Sequence, residues 1–260
     1  MTGLKAQPLR LGIVGIAGRM GREIVTIGES DPEVRVIGGT LRPGRADAPA
    51  DLPAGVAIHT SLTDLLLAID VMIDFSTPAS SVETAHLAAD AGVPVVIGTT
   101  GLSAEQLALL RATSSRVPVW YARNMSTGIS ALLRVLPEIA KALTEYDIEL
   151  IEAHHRHKVD APSGTALALA EVILSGLAND GQQHPFVHGR EGRSPRGPGE
   201  IGIHAVRGGG NSGEHEVIFA SDEEEIKVSH RAYNRQAFAA GAIRAAKQIA
   251  TLPPGWHGPG

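Results

Sequence analysis

Up to about Ala122, short runs of branched apolar residues alternate with longer stretches in which apolar positions recur every third or fourth residue. LRLGIV at 9–14, VRVIGG at 34–39, VMIDF at 71–75, VPVVIG at 93–98 and VPVWYA at 117–122 have the length and composition of strands. Between them, GRMGREIVTIGES, SLTDLLLAI, SVETAHLAADAG and SAEQLALLRATSS carry the helical period. This alternation predicts βαβ units and a parallel sheet, and nearly unbroken Val and Ile predicts strands buried on both faces. Past Asn124 the order changes. A helix is expected over 128–143, a strand over 147–153 (DIELIEA) and a helix from about Thr165. The segment 179–199, rich in Gly, Pro, Gln, His and Arg, is expected to be a surface loop. IGIHAV, HEVIFA and EIKVSH then read as three strands of an antiparallel meander, turning at GGGNSG and SDEE. A last helix, QAFAAGAIRAAKQIA, precedes a Pro/Gly tail in which no element is expected. The fold class is α/β. One domain covers 1–125 and is completed by the helical segment 236–260; a second, α+β domain covers 126–235, with a mixed or antiparallel sheet.

Composition removes several function classes. A chain of 260 residues, 43% apolar and 20% charged, is long enough for a proper core and has the balance of a soluble globule. Its formal net charge of −5 argues against a nucleic-acid or anionic-membrane partner. The absence of cysteine excludes disulfides, thiolate nucleophiles and Cys-ligated zinc, and fits the cytoplasm. The start runs into glycine too soon for a signal peptide, and no apolar run reaches the roughly 18 residues of a spanning helix.

The first strand leads directly into G15-I-A-G18-R-M-G21. Strand, glycine turn and helix start are the setting of a dinucleotide site: glycine admits positive φ and close approach, and the helix start presents N–H groups and a positive dipole end to a pyrophosphate. A glycine turn required only for tight packing is the plainer alternative. An acidic residue to hold an adenosine ribose is expected about 20 residues further on. The chain instead has G39-T40-L41-R42 there, and a guanidinium suits a 2′-phosphate. NADPH is therefore the preferred cofactor, with NADH possible, unless Arg42 is merely a solvated loop residue. F75-S76-T77-P78 and G98-T99-T100-G101 fall at later strand ends, where an open α/β sheet binds ligands; Ser76 and Thr77 equally suit a helix N-cap.

EAHHRHKVDAPSGTA at 152–166 admits three readings. If the preceding strand continues, His155 and His157 share one face while His154, Arg156 and Lys158 share the other. That separates the imidazoles and sets cations beside His154, which opposes a metal site. A solvated basic loop is the second reading. The third is an anion site with proton donors: Ser163, Gly164 and Thr165 lie at a helix start able to bind a carboxylate, and histidine and lysine stand nearby to deliver protons.

The segment closely resembles the signature of the 4-hydroxy-tetrahydrodipicolinate reductases (dihydrodipicolinate reductases) of the diaminopimelate–lysine pathway. GIVGIAGRMGREI, VMIDFSTP, VVIGTTG, ARNMSTGIS and the strands from Gly199 to Ala246 extend the resemblance across nearly the whole chain. It implies a Rossmann-type dinucleotide-binding domain, a substrate and oligomerisation domain, and hydride reduction of a cyclic dicarboxylate, without a metal. By position, His154 matches the proton donor and acceptor, and Lys158 the second donor. His155, Gly164 and Thr165 match substrate carboxylate contacts. Gly15, Ile16, Ala17, Gly18, Arg19, Met20, Gly98, Thr99, Thr100, Ala122, Arg123, Asn124 and Met125 match cofactor contacts, with Arg42 beside the adenosine phosphate. The resemblance also implies a cytoplasmic homotetramer. Two positions depart from the family pattern: Leu41 replaces a common acid, which reinforces NADPH, and Ser130 replaces a common asparagine. An aspartate or homoserine dehydrogenase would share the glycine loop without needing H-H-x-x-x-K before S-G-T, and a nucleotide-sensing regulator would need no proton donors.

Overall fold

The computed structural model describes residues 7–42, 52–178 and 181–259. They fall into two compact units, one running to Ser126 and taking in Gln236–Gly258, the other formed by Thr127–Arg235.

In the first unit, β1 (Leu9–Val14), β2 (Val34–Thr40), β3 (Ala57–His59), β4 (Val71–Asp74), β5 (Val95–Ile97), β6 (Pro118–Tyr121) and β12 (Gly255–His257) form one sheet in the order β12-β6-β5-β4-β1-β2-β3. Every pairing is parallel. Chain order reverses between β1 and β4, which makes their C-terminal ends the switch point where such sheets bind ligands. Both faces are covered, as the strand composition predicts. Val71 and Ile73 join one apolar cluster with residues of α1 (Arg19–Ser30) and α7 (Gln236–Ile249). Met72, between them, joins another with α3 (Pro78–Ala91) and α4 (Ala104–Thr113). Local chemistry starts the helices: Thr77 caps α3 with Pro78 in its first turn, and Ser103 and Gln106 form a reciprocal capping box on α4. The stretch SLTDLLLAI yields only the short α2 (Leu62–Leu66).

The C-terminal tail corrects the expectation of no structure, because Gly255–His257 pairs with Pro118–Trp120 as an added edge strand. Three residues behind a Pro-Pro pair give no alternation to read.

In the second unit, α5 (Thr127–Ala142) and α6 (Gly164–Leu177) accompany a sheet of β7 (Asp147–His154), β8 (Phe186–His188), β9 (Ile201–Arg207), β10 (Glu214–Ala220) and β11 (Glu225–Arg231). The strand order is β11-β10-β7-β9-β8. β7 pairs parallel with β9 and antiparallel with β10, so the sheet is mixed. The expected meander is corrected accordingly: only β10 and β11 form a hairpin, and β7 lies between β9 and β10. GGGNSG is thus a crossing over the end of β7. The expected loop at 179–199 is corrected too, since Phe186–His188 extends the sheet beside β9; positions 179 and 180 lie outside the described residues. Along β7, Ile148, Leu150, Glu152 and His154 are buried while the alternate positions are partly exposed. That alternation puts two polar side chains on the face that joins Ile148 and Leu150 to the helices α5 and α6.

Candidate active site

β7 ends at His154, and the chain turns over Arg156 and His157. This ending corrects the expected sharing of faces by His155, His157 and Lys158, because strand alternation stops at His154. What fixes the imidazole is its own strand. Glu152, two residues earlier and with no exposed surface, holds His154 Nδ1 at 2.5 Å through Oε2. The same carboxylate accepts from Arg207 Nη1 at 2.8 Å and Nη2 at 2.6 Å, and from the Ser163 backbone N–H at 3.0 Å. Burial alone would raise the Glu152 pKa, but the His154, Arg207 and Ser163 hydrogen bonds outweigh it and hold the group down at about 2.

A second imidazole, His215 on β10, packs edge-on against His154 with ring centroids 5.3 Å apart. Its Nε2 lies 3.3 Å from Ser163 Oγ. Burial, and then the neighbouring His154, push its pKa down to about 3, so it is neutral at ordinary pH. On the remaining side the crossing loop closes over the strand end. Gly208 N–H donates to His154 O at 3.0 Å, and His155 N–H donates to Asn211 O at 2.8 Å.

The helix start expected near Thr165 forms at Gly164, the first residue of α6. Ser163 is the N-cap, its Oγ accepting from Ala166 N–H at 3.1 Å, and no acidic residue occupies the first turn. Thr165 is buried. A neighbouring acid outside the helix does reach this end: Asp160 Oδ2 accepts from Gly164 N–H at 3.3 Å, and Asp160 Oδ1 pairs with Lys158 Nζ at 2.8 Å. Burial would raise the Asp160 pKa, but the Lys158 hydrogen bond and charge together with Gly164 N–H lower it. His155 is partly buried, its pKa lowered by desolvation and by Arg235. His157 is exposed. Among the described residues, no group of three or more His, Asp or Glu side chains could hold a metal ion.

In the first unit the glycine turn occupies the end of β1. Gly15 has φ +77°, which glycine alone adopts freely. A Cβ at Gly21 would stand 2.5 Å from the carbonyl oxygens of Gly15 and Ile16, so glycine also lets α1 start this close to the turn. Gly18, the N-cap of α1, provides no side-chain cap, and the first turn holds no acid. First-turn N–H groups have no intrahelical acceptor, which leaves this end suited to a pyrophosphate. Ile16 is fully buried in the core, and Ala122 and Met125 nearly so, which limits them to main-chain contacts with any ligand. Arg42 is exposed.

The loops after β4 and β5 are joined through Asp74, a fully buried carboxyl that sequence reading passed over. Its Oδ1 accepts from Ser76 N–H at 2.8 Å and from Ser76 Oγ at 2.5 Å, while Thr99 Oγ1 accepts from Ser76 N–H at 3.0 Å. Desolvation raises the Asp74 pKa against the opposing Ser76 hydrogen bonds. Thr99 is therefore a buried brace, whereas Thr100 is exposed. Beside Gly98 the Phe75 ring fills the space a Cβ would take, so packing by itself requires that glycine.

Two family models match the chain: dihydrodipicolinate reductase, N-terminus, over residues 9–125, and dihydrodipicolinate reductase, C-terminus, over residues 128–258. The chain is 46% identical to the 4-hydroxy-tetrahydrodipicolinate reductase of Thermomicrobium roseum, over 96% of this chain and 97% of the relative. It is 47% identical to that of Rubrobacter xylanophilus, over 96% of each. Among solved structures it is similar to a dipicolinate-bound dihydrodipicolinate reductase from Paenisporosarcina sp. TG-14, with a TM-score of 0.78, 27% identity, and coverage of 96% of this chain and 97% of that one.

Proposed function

The chain belongs to the dihydrodipicolinate reductase family, and we propose on that footing that it reduces 4-hydroxy-tetrahydrodipicolinate, after loss of water, to tetrahydrodipicolinate in diaminopimelate and lysine biosynthesis. The observation that supports this most directly is His154, fixed on a buried carboxylate beside the start of α6. It couples an acid–base group to a cradle for a carboxylate. A nicotinamide dinucleotide is the cofactor, and when bound it supplies hydride. The glycine turn with Arg19 and Met20, the Gly98–Thr100 loop and the Ala122–Met125 segment would hold it, with Arg42 on an adenosine 2′-phosphate. The reading includes a cytoplasmic homotetramer; among the described residues no helix is long and apolar enough to cross a membrane.

In this mechanism His155 and the Gly164 and Thr165 end of α6 bind the substrate's carboxylates. His154 and Lys158 keep the ring imine protonated, and a cationic conjugated imine accepts hydride more readily than a neutral one. Purified protein is expected to consume NADPH when freshly generated 4-hydroxy-tetrahydrodipicolinate is added, and not without it. Its kcat/KM should favour NADPH over NADH, and Arg42→Ala should lower the NADPH value about tenfold, the worth of one charge-assisted contact. No NADPH consumption sinks the reaction; equal kcat/KM for the two cofactors sinks the preference.

Asp160 adds a consequence of its own. Its carboxylate bonds both Lys158 Nζ and Gly164 N–H, two of the groups assigned to the substrate. It thereby competes with a substrate carboxylate for them. The Asp160 side chain is 57% exposed, and exposed ion pairs are worth up to about 1 kcal/mol. Asp160→Asn is therefore expected to lower the substrate KM by up to about fivefold. A KM that stays level or rises in steady-state assays would show that Asp160 orders the loop instead of competing.

A further inference from the structure

We infer that Glu152 is a positioning residue that fixes the proton of neutral His154 on Nδ1 and so reserves Nε2 as the atom that exchanges a proton with the substrate. The inference rests on the acid–base role proposed for His154 and assigns its tautomer, its supporting partner and its reacting atom.

The geometry leaves Glu152 little freedom. Four donors converge on one carboxylate: His154 Nδ1, both terminal nitrogens of Arg207 and the Ser163 backbone N–H. Arg207 and Ser163 N–H are donors only, so they favour the ionised, acceptor-only form of Glu152. The carboxylate's low pKa, about 2, agrees. An acceptor-only partner at 2.5 Å requires a proton on Nδ1. When His154 acts as a donor, the Nε2–H bond breaks, the proton goes to the substrate, and the ring is left neutral with Nδ1–H still held by Glu152.

The surroundings of Nε2 support the same assignment. A Cβ at Gly213 would stand 3.1 Å from it, and Gly213 has φ +142°, so glycine keeps that side of the ring clear. A second imidazole, His215, faces the ring edge-on and is neutral. Glu152 also spans the site, because the N–H it accepts at 3.0 Å belongs to the N-cap of α6. One carboxylate thus sets the imidazole and the anion cradle in a common frame.

The test uses the full chain labelled with 15N-histidine, the His154 signals being assigned by their loss in His154→Asn. At the alkaline end of the accessible pH range, wild type is expected to show a protonated Nδ1 and a bare Nε2. In Glu152→Gln, a side-chain amide facing the ring donates to Nδ1 and moves the proton to Nε2. The same variant should lose roughly ten- to a hundredfold in kcat, with KM for both substrates within about threefold, whereas Glu152→Asp should recover part of the rate. Wild type with its proton on Nε2 overturns the inference even if the variant does not fold. So does a folded Glu152→Gln with near-normal kcat. Because the spectrum needs no turnover, an inactive wild type with the expected tautomer would sink the proposed reaction and leave the Glu152 assignment standing.

Discussion

His154→Ala is expected to lower kcat for 4-hydroxy-tetrahydrodipicolinate by about a thousandfold, the middle of the range for a positioned acid–base group. KM should change little, since the carboxylate cradle proposed at the start of α6 draws on Ser163, Gly164 and Thr165 and does not include the ring. The variant removes an imidazole that is itself nearly buried, and with it the partner of a fully buried carboxylate. Glu152 nevertheless keeps three donors, two from Arg207 and one from Ser163, so its charge stays compensated and folding should survive. Lys158→Ala is the informative companion. Its side chain is one-fifth exposed and its ammonium pairs with Asp160, so its loss leaves a half-exposed acid near the proposed cradle and should depress kcat while also raising KM. The double variant should fall well short of the product of the two losses, because both groups serve the protonation of one imine. Single-turnover and steady-state rates check this, and near-normal turnover in both single variants would falsify the assigned roles.

Different physical signals carried different parts of this site in the sequence. The glycine turn and the S-G-T helix start are local features, readable because positive φ and free helix N–H groups call for particular residues at fixed offsets. Glu152 was legible in principle. It shares parity with Ile148, Leu150 and His154 along β7, and a carboxylate on an apolar strand face needs a buried partner. Arg207 and His215 were not legible. They reach the site through the pairing of β7 with β9 and β10, and no local pattern states which strands lie side by side. The same ignorance turned β9, β10 and β11 into a meander on paper. Short strands failed for another reason, since the three residues of β8 and of β12 are too few to alternate. Where β7 stops also lay beyond sequence reading, because backbone bonds from 208–211 to 154–156 end the strand at His154.

Gly241→Ala should be the most destabilising small substitution in the first unit, against the sign that helix propensity gives. Position 241 lies inside α7, where replacing glycine by alanine ordinarily stabilises by about 1 kcal/mol. Here a Cβ would overlap the carbonyl oxygen of Met125 and come within 2.7 Å of its carbonyl carbon. These are backbone atoms, so no rotamer change relieves the clash. Met125 and Ser126 are themselves nearly buried, and Ser126 N–H donates to Asn124 Oδ1 at 2.8 Å. Either α7 or the Ala122–Met125 segment must therefore move. Overpacking of this kind costs about 3 kcal/mol, which exceeds the propensity gain. The net loss of about 2 kcal/mol corresponds to a fall of roughly 4–8 °C in Tm for a chain of this size. Displacement of Ala122–Met125 should also raise the KM for NADPH, since that segment is assigned to the cofactor. Ala240→Gly, at an exposed position of the same helix, isolates the propensity contribution and should lower Tm by only a few degrees. If Gly241→Ala melts at or above wild type, the tight seating of α7 on Met125 is wrong, and the cofactor segment is not held by that helix.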